Sequence, residues 1–176
     1  AMANVENYPS FEDYRDTWLE DVRTGNPSTL ELGRRFARKL FCEWRDMDED
    51  TDDIYECDGT GDGGIDIACL EKSEPDAESG LESHTWYLVQ SKYGKAFSGS
   101  STLLKEGNKV LDTLCEPHKK RLSSLTSSVL EKLAAFKRKA SERDRITLVF
   151  ATEASLNNDE IRTMRHLEDM GRGPNG

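Results

Sequence analysis

The sequence predicts an α/β protein, a three-layer sandwich in which a mixed central sheet lies between helices. Three observations carry that prediction. Amphipathic helical patterns and short β-prone runs follow one another in the order helix, helix, three strands, two helices, strand, helix. The last strand run, Ile146-Thr147-Leu148-Val149-Phe150-Ala151-Thr152, is almost uniformly apolar, a pattern expected of an interior, parallel strand covered on both faces. Two helices precede it, which suits a crossover that returns the chain beside the strand before them.

Each element has a local reason. Over residues 10–24, Ser10 can cap a helix that sets Phe11, Tyr14, Trp18, Leu19 and Val22 at helical spacing, and Gly25-Asn26-Pro27 stops it. Ser28 caps a second helix to about Trp44, whose residues Leu30, Gly33, Phe36, Ala37, Leu40, Phe41 and Trp44 form a wide apolar face that calls for burial against the sheet. The run from Asp46 to Asp53 is too dense in like charge to pack and reads as a solvated loop. Ile54–Cys57 suits a short first strand, 65–70 a second and 86–92 a third, with the polar stretch 73–84 as their hairpin connection. A helix over 101–115 turns Leu103, Leu104, Val110, Leu111 and Leu114 inward and ends before Pro117. A long basic helix over 119–140 carries Leu122, Leu125, Val129, Leu130, Leu133, Ala134 and Phe136 on its apolar side. After the 146–152 strand, Asn157 or Asn158 caps a last helix to about 170.

At 176 residues the chain is long enough to bury a real core, and 35% hydrophobic against 33% charged residues describes a polar globular protein rather than a disordered one. No apolar run reaches the length of a membrane span, and no charged-then-apolar leader is seen, so a cytoplasmic protein without a membrane is expected. Four widely spaced cysteines (Cys42, Cys57, Cys69, Cys115) form no Cys-x-x-Cys pair, which argues for reduced, mostly buried thiols and against zinc or a disulfide scaffold. The expected division is an N-terminal helix and lead-in over 1–27 and the α/β domain over 28–170. Residues 171–176 (Gly-Arg-Gly-Pro-Asn-Gly) read as a cut linker to a missing C-terminal region.

The net charge of −10 hides a strong asymmetry. Residues 1–89 hold 23 acids against 8 bases, whereas residues 90–145 hold 6 acids against 13 bases. A phosphate backbone could follow the basic part, with Lys95, Lys105, Lys109, Lys119, Lys120 and Arg121 as its contacts. The competing reading is that these are solvated helix faces. A homodimer is left open.

Chemistry concentrates in Gly61-Asp62-Gly63-Gly64-Ile65-Asp66-Ile67 and, two dozen residues on, Val89-Gln90-Ser91-Lys92-Tyr93. If the two strands pair, Asp66, Gln90 and Lys92 converge at one edge of the sheet, and Gln90 and Lys92, two apart, share a face. A carboxylate and an amide oxygen suit a hard divalent cation, and the lysine can orient a water or neutralise developing charge at a phosphate. The bland alternative for Asp66 is a strand-end carboxylate bonded to backbone. If it is instead a buried charge that only a cation offsets, its removal should leave the metal-free fold as stable or more so. Asp62 reads first as a turn residue, with an outer-shell role second. The segment 58–69 also resembles a calcium-binding EF-hand loop, but its twelfth position, which must supply a bidentate carboxylate, is Cys69, and its flanks read as strands.

On these two strings, in this order and behind an amphipathic helix, the chain resembles the PD-(D/E)XK nuclease superfamily, with the restriction-endonuclease-like fold. The Gln-x-Lys form is similar to the Mrr-like branch and to the N-terminal nuclease domains of abortive-infection phage-resistance proteins. The resemblance spans roughly residues 28–153, and its specific part is the two strings alone. It implies a Mg²⁺- or Mn²⁺-dependent endonuclease acting on DNA, the effector of an anti-phage or restriction system, with Asp66, Gln90 and Lys92 catalytic. It also implies a metal-binding Glu on the preceding helix, for which Glu31 is the best match by position. The rival expectation is a nuclease fold that no longer cleaves and serves DNA binding or protein interaction.

Overall fold

Among the described residues, nine elements run from α1 (Phe11–Arg23) and α2 (Thr29–Arg45) through β1 (Ile54–Glu56), β2 (Ile67–Lys72) and β3 (His84–Lys92) to α3 (Ser100–Cys115), α4 (Ser124–Lys139), β4 (Arg145–Thr152) and α5 (Asn158–Arg172). The computed structural model describes residues 11–57, 61, 63–92, 100–115, 121–152 and 158–172, with side chains described except at 11–15, 92, 100–102, 152 and 172. The four strands form one mixed sheet in the order β1-β2-β3-β4, antiparallel at the first two junctions and parallel between β3 and β4.

Sheet alternation divides the core in two. Ile67, Cys69, Tyr87, Val89 and Ala151 face the helices α1 and α2, which bury Leu19, Val22, Phe36, Ala37 and Phe41 against them. On the other face Ala68, Trp86 and Leu88 meet Val110 of α3 and Val129 and Leu133 of α4. Each such fully buried Leu, Val or Phe contributes about 1.5–3 kcal/mol of transfer free energy, so both helical layers are held chiefly by apolar burial. Helix α5 packs on α3 through Leu167 and Leu103, with Phe150 beside them. Ser28 caps α2 by accepting the Glu31 N–H, as its place before an apolar run requires.

The expected order of elements is the observed one, with three differences. Strand β4 lies beside β3 and parallel to it, but it is the last strand of the described sheet rather than an interior one. Its uniform apolarity reflects helices on both faces: Ile146 and Leu148 join the α3/α4 side, and Val149 and Ala151 the α1/α2 side. Apolarity along a strand reports cover above and below, not neighbours to the side. Helix α4 begins at Ser124, not near 119, because Ser123 takes the N-cap and its own N–H bonds Gly61 O at 2.8 Å. Leu30, Trp44 and Leu125, placed on apolar faces by spacing, are each about half exposed. Trp44 instead packs edge-on against Tyr87 and carries the Arg45 guanidinium over its ring.

Cys42, Cys57 and Cys69 are buried free thiols and Cys115 is an exposed one, and burial pushes the Cys69 thiol up to about 11, so it is inert near neutral pH. No described helix is long and apolar enough to cross a membrane.

Candidate active site at the β2–β3 junction

The turn that leads into β2 is shaped by glycine. Gly63 and Gly64 have φ of +67° and +88°, a region that costs other residues strain, and a Cβ on either would meet α3 at under 3 Å. At Gly63 the obstacle is Thr113, whose hydroxyl donates to Gly63 O at 2.7 Å. At Gly64 it is Val110. These two glycines let the chain press on α3, which fixes where the following strand begins.

Asp66 stands at that beginning. Its N–H donates to Val89 O at 2.8 Å and its O accepts from Cys57 N at 2.9 Å, so its backbone ties β1, β2 and β3 together. Val89 is also the register partner of Ile67, so two residues of one strand meet one residue of the next, as in a β-bulge. The Asp66 side chain continues the ladder beyond it: Oδ2 accepts the Ser91 N–H at 2.6 Å, the length of a charge-assisted bond. The bland reading of Asp66 as a backbone-bonded strand-end carboxylate is therefore part of its role, and it is bonded to the middle of the second motif string.

Gln90 is 5% exposed and faces α3, where its Nε2 donates to Glu106 Oε2 at 2.6 Å. Its carbonyl oxygen, Oε1, is buried with no hydrogen-bond partner among the described residues, as is the Ser91 hydroxyl. The backbone of Lys92 closes β3 opposite Thr152, while its side chain lies outside the described residues. The structure thus brings Asp66 to the Gln90-Ser91-Lys92 segment through antiparallel pairing.

Glu31 is engaged otherwise. It accepts from Arg35 Nε at 3.2 Å, and Arg35 in turn donates to Thr24 O at 2.7 Å beyond the end of α1. Among the described residues no group of three or more His, Cys, Asp or Glu side chains could hold one ion, so Glu31, Asp66 and Glu106 are not assembled as a carboxylate cluster.

Of the basic residues, Lys105 and Lys109 are exposed on α3, and the Lys109 stem passes about 3.4 Å from where a Gly64 Cβ would stand. Arg121 is exposed, with its O close to Gly61. Lys95, Lys119, Lys120 and Asp62 lie outside the described residues.

Two features escaped the sequence. Glu106 lies with Val110 and Thr113 on one stripe of α3, at i, i+4 and i+7; a carboxylate and a hydroxyl on an otherwise apolar inward face were the readable signal. His84, which has no ligand-like spacing to the other histidines, opens β3 against Asp144: its N–H donates to Asp144 Oδ1 at 2.9 Å and its ring Nδ1 lies 3.3 Å from the same oxygen. The N–H of Ser141 and these His84 contacts hold the Asp144 carboxyl below its ordinary range.

Comparison with protein-family models, curated proteins and solved structures finds no match to this chain.

Proposed function

We propose that this chain is a metal-dependent endonuclease domain of the PD-(D/E)XK type, with a restriction-endonuclease-like fold, that hydrolyses DNA phosphodiester bonds as the effector of a bacterial anti-phage defence or restriction system. The observation that carries the reading is the bond from Ser91 N–H to Asp66 Oδ2, which couples the start of β2 to the Gln90-x-Lys92 string of β3. The mixed sheet with helices on both faces and the parallel return beside β3 are consistent with it.

The donor chemistry fits a hard cation. Asp66 offers a carboxylate, and Gln90 offers a buried carbonyl oxygen that no described group satisfies, both oxygen donors of the class Mg²⁺ and Mn²⁺ prefer. When bound there, such an ion would supply charge to offset a scissile phosphate and would acidify a coordinated water. Asp66 and Gln90 would hold it. Lys92 would orient the attacking water and stabilise charge on the phosphoryl oxygens. Lys105, Lys109 and Arg121 would hold the phosphate backbone near the glycine turn.

A second reading has its own support. Asp66 Oδ2 and Gln90 Nε2 are both engaged in bonds that stabilise the fold, as they would be in a scaffold that binds DNA or protein without cutting it. Plasmid cleavage with Mg²⁺, Mn²⁺ and chelator, run beside Lys92→Ala, separates the two. Nicking that needs the divalent ion and is lost in Lys92→Ala supports the enzyme. No nicking supports the scaffold, and nicking unaffected by the substitution would remove Lys92 from the chemistry.

A further inference from the structure

We propose that Glu106 of α3 is the positioning residue of this site, fixing the Gln90 amide so that its carbonyl oxygen is the atom presented to a divalent cation; this rests on the metal-site reading above. A free amide can turn either end to a ligand, and a cation needs the oxygen. An ionised carboxylate can only accept, so Glu106 Oε2, 2.6 Å from Gln90 Nε2, compels the NH₂ group to face α3. The carbonyl oxygen must then point elsewhere, and it is left buried and unpartnered among the described residues on a side chain only 5% exposed. Buried carbonyls of this kind are normally satisfied, so one left unmatched among the described residues is a reason to look for a ligand.

The same helix holds the other half of the motif. Thr113, seven residues after Glu106, donates to Gly63 O at 2.7 Å, and Val110, four after, packs on Gly64. One face of α3 therefore sets both the turn that delivers Asp66 and the orientation of Gln90. It also accounts for an amide rather than a carboxylate at position 90. With Glu106 in contact, a second carboxylate at position 90 would meet like charge, whereas an amide can bond to Glu106 and still offer an oxygen.

The test is Mn²⁺ affinity by electron paramagnetic resonance on the full chain, with folding checked by circular dichroism. Wild type is compared with Glu106→Ala and with the exchanged pair Gln90→Glu/Glu106→Gln. Glu106→Ala should bind Mn²⁺ about tenfold or more weakly, the usual effect of losing a group that orients a ligand. In the exchanged pair the amide sits on α3 and donates to a carboxylate on β3, so it should bind at least as tightly as wild type. This arm also decides the matter if Glu106→Ala does not fold. Wild-type affinity in a folded Glu106→Ala, or tenfold loss in the exchanged pair, would overturn the role of Glu106 and leave the metal site standing. No Mn²⁺ binding by wild type would overturn both.

Discussion

Asp66 accepts the main-chain N–H of Ser91 through its side chain, so the carboxylate that opens β2 also fastens the end of β3. A group with both duties separates cleanly by substitution. Asp66→Asn keeps an oxygen for the Ser91 N–H and drops the charge, whereas Asp66→Ala removes the acceptor. In metal-free buffer Asp66→Ala should lose about 1–3 kcal/mol in urea unfolding and Asp66→Asn less than about 1 kcal/mol, with Mn²⁺ binding lost in both. This reverses the expectation from sequence that removing Asp66 costs no stability, because that expectation counted the charge without its backbone partner. Equal stability of Asp66→Ala and wild type would show that the bond to Ser91 is not made.

The glycine turn yields a paired prediction. Gly63→Ala places a Cβ at positive φ, 2.7 Å from a Thr113 methyl group, and should cost about 2 kcal/mol or more. Gly33→Ala, on α2 with nothing within 4 Å of its Cβ position, should gain about 0.5–1 kcal/mol. Urea midpoints that shift in the same direction for both would mean the turn does not press on α3 as described.

Much of this was legible in the sequence for identifiable reasons. Local periodicity and capping set the element order, and Ser28 before a wide apolar stripe announced α2. The pairing of the two motif strands, a condition of the sequence reading suggested by the polar connection between them, is observed. What stayed hidden was lateral and long-range. The place of β4 at the end of the described sheet leaves no mark on its own residues. The partnership of Gln90 with Glu106 spans a helix boundary, and no periodicity connects a strand amide to a helix carboxylate. Glu31 matched a helix position by resemblance, and its contact with Arg35, one turn on, was not foreseen.

Asp144 should tie stability to pH. Its folded-state carboxyl is held below the ordinary range, first by Ser141 N–H and then by His84, so it stabilises the fold above that range and the contribution is lost as pH falls through the depressed value. Asp144→Ala should therefore melt below wild type near neutral pH, with the gap narrowing below about pH 4, the ordinary carboxylate range. A gap that is constant or widens in acid would show that Asp144 contributes without its charge.

Nucleic-acid binding, as proposed, should rest on the basic segment. Fluorescence anisotropy with duplex DNA should show affinity falling steeply with salt and little sequence preference, since the contacts are to phosphates. Charge reversal at Lys119, Lys120 and Arg121 should flatten the salt slope. An unchanged slope would remove that segment from the DNA track, and tight salt-insensitive binding would contradict the electrostatic basis altogether.

The location of a bound ion can be read without any assay of cleavage. Crystals of the full chain soaked in Mn²⁺ and measured at the manganese absorption edge should give an anomalous peak shared by Asp66 and the Gln90 carbonyl oxygen, and no such peak in Asp66→Asn. A peak confined to the acidic loop around Asp48, Asp50 and Asp53, or one that persists at Gln90 without the Asp66 carboxylate, would contradict the site assigned at the β2–β3 junction.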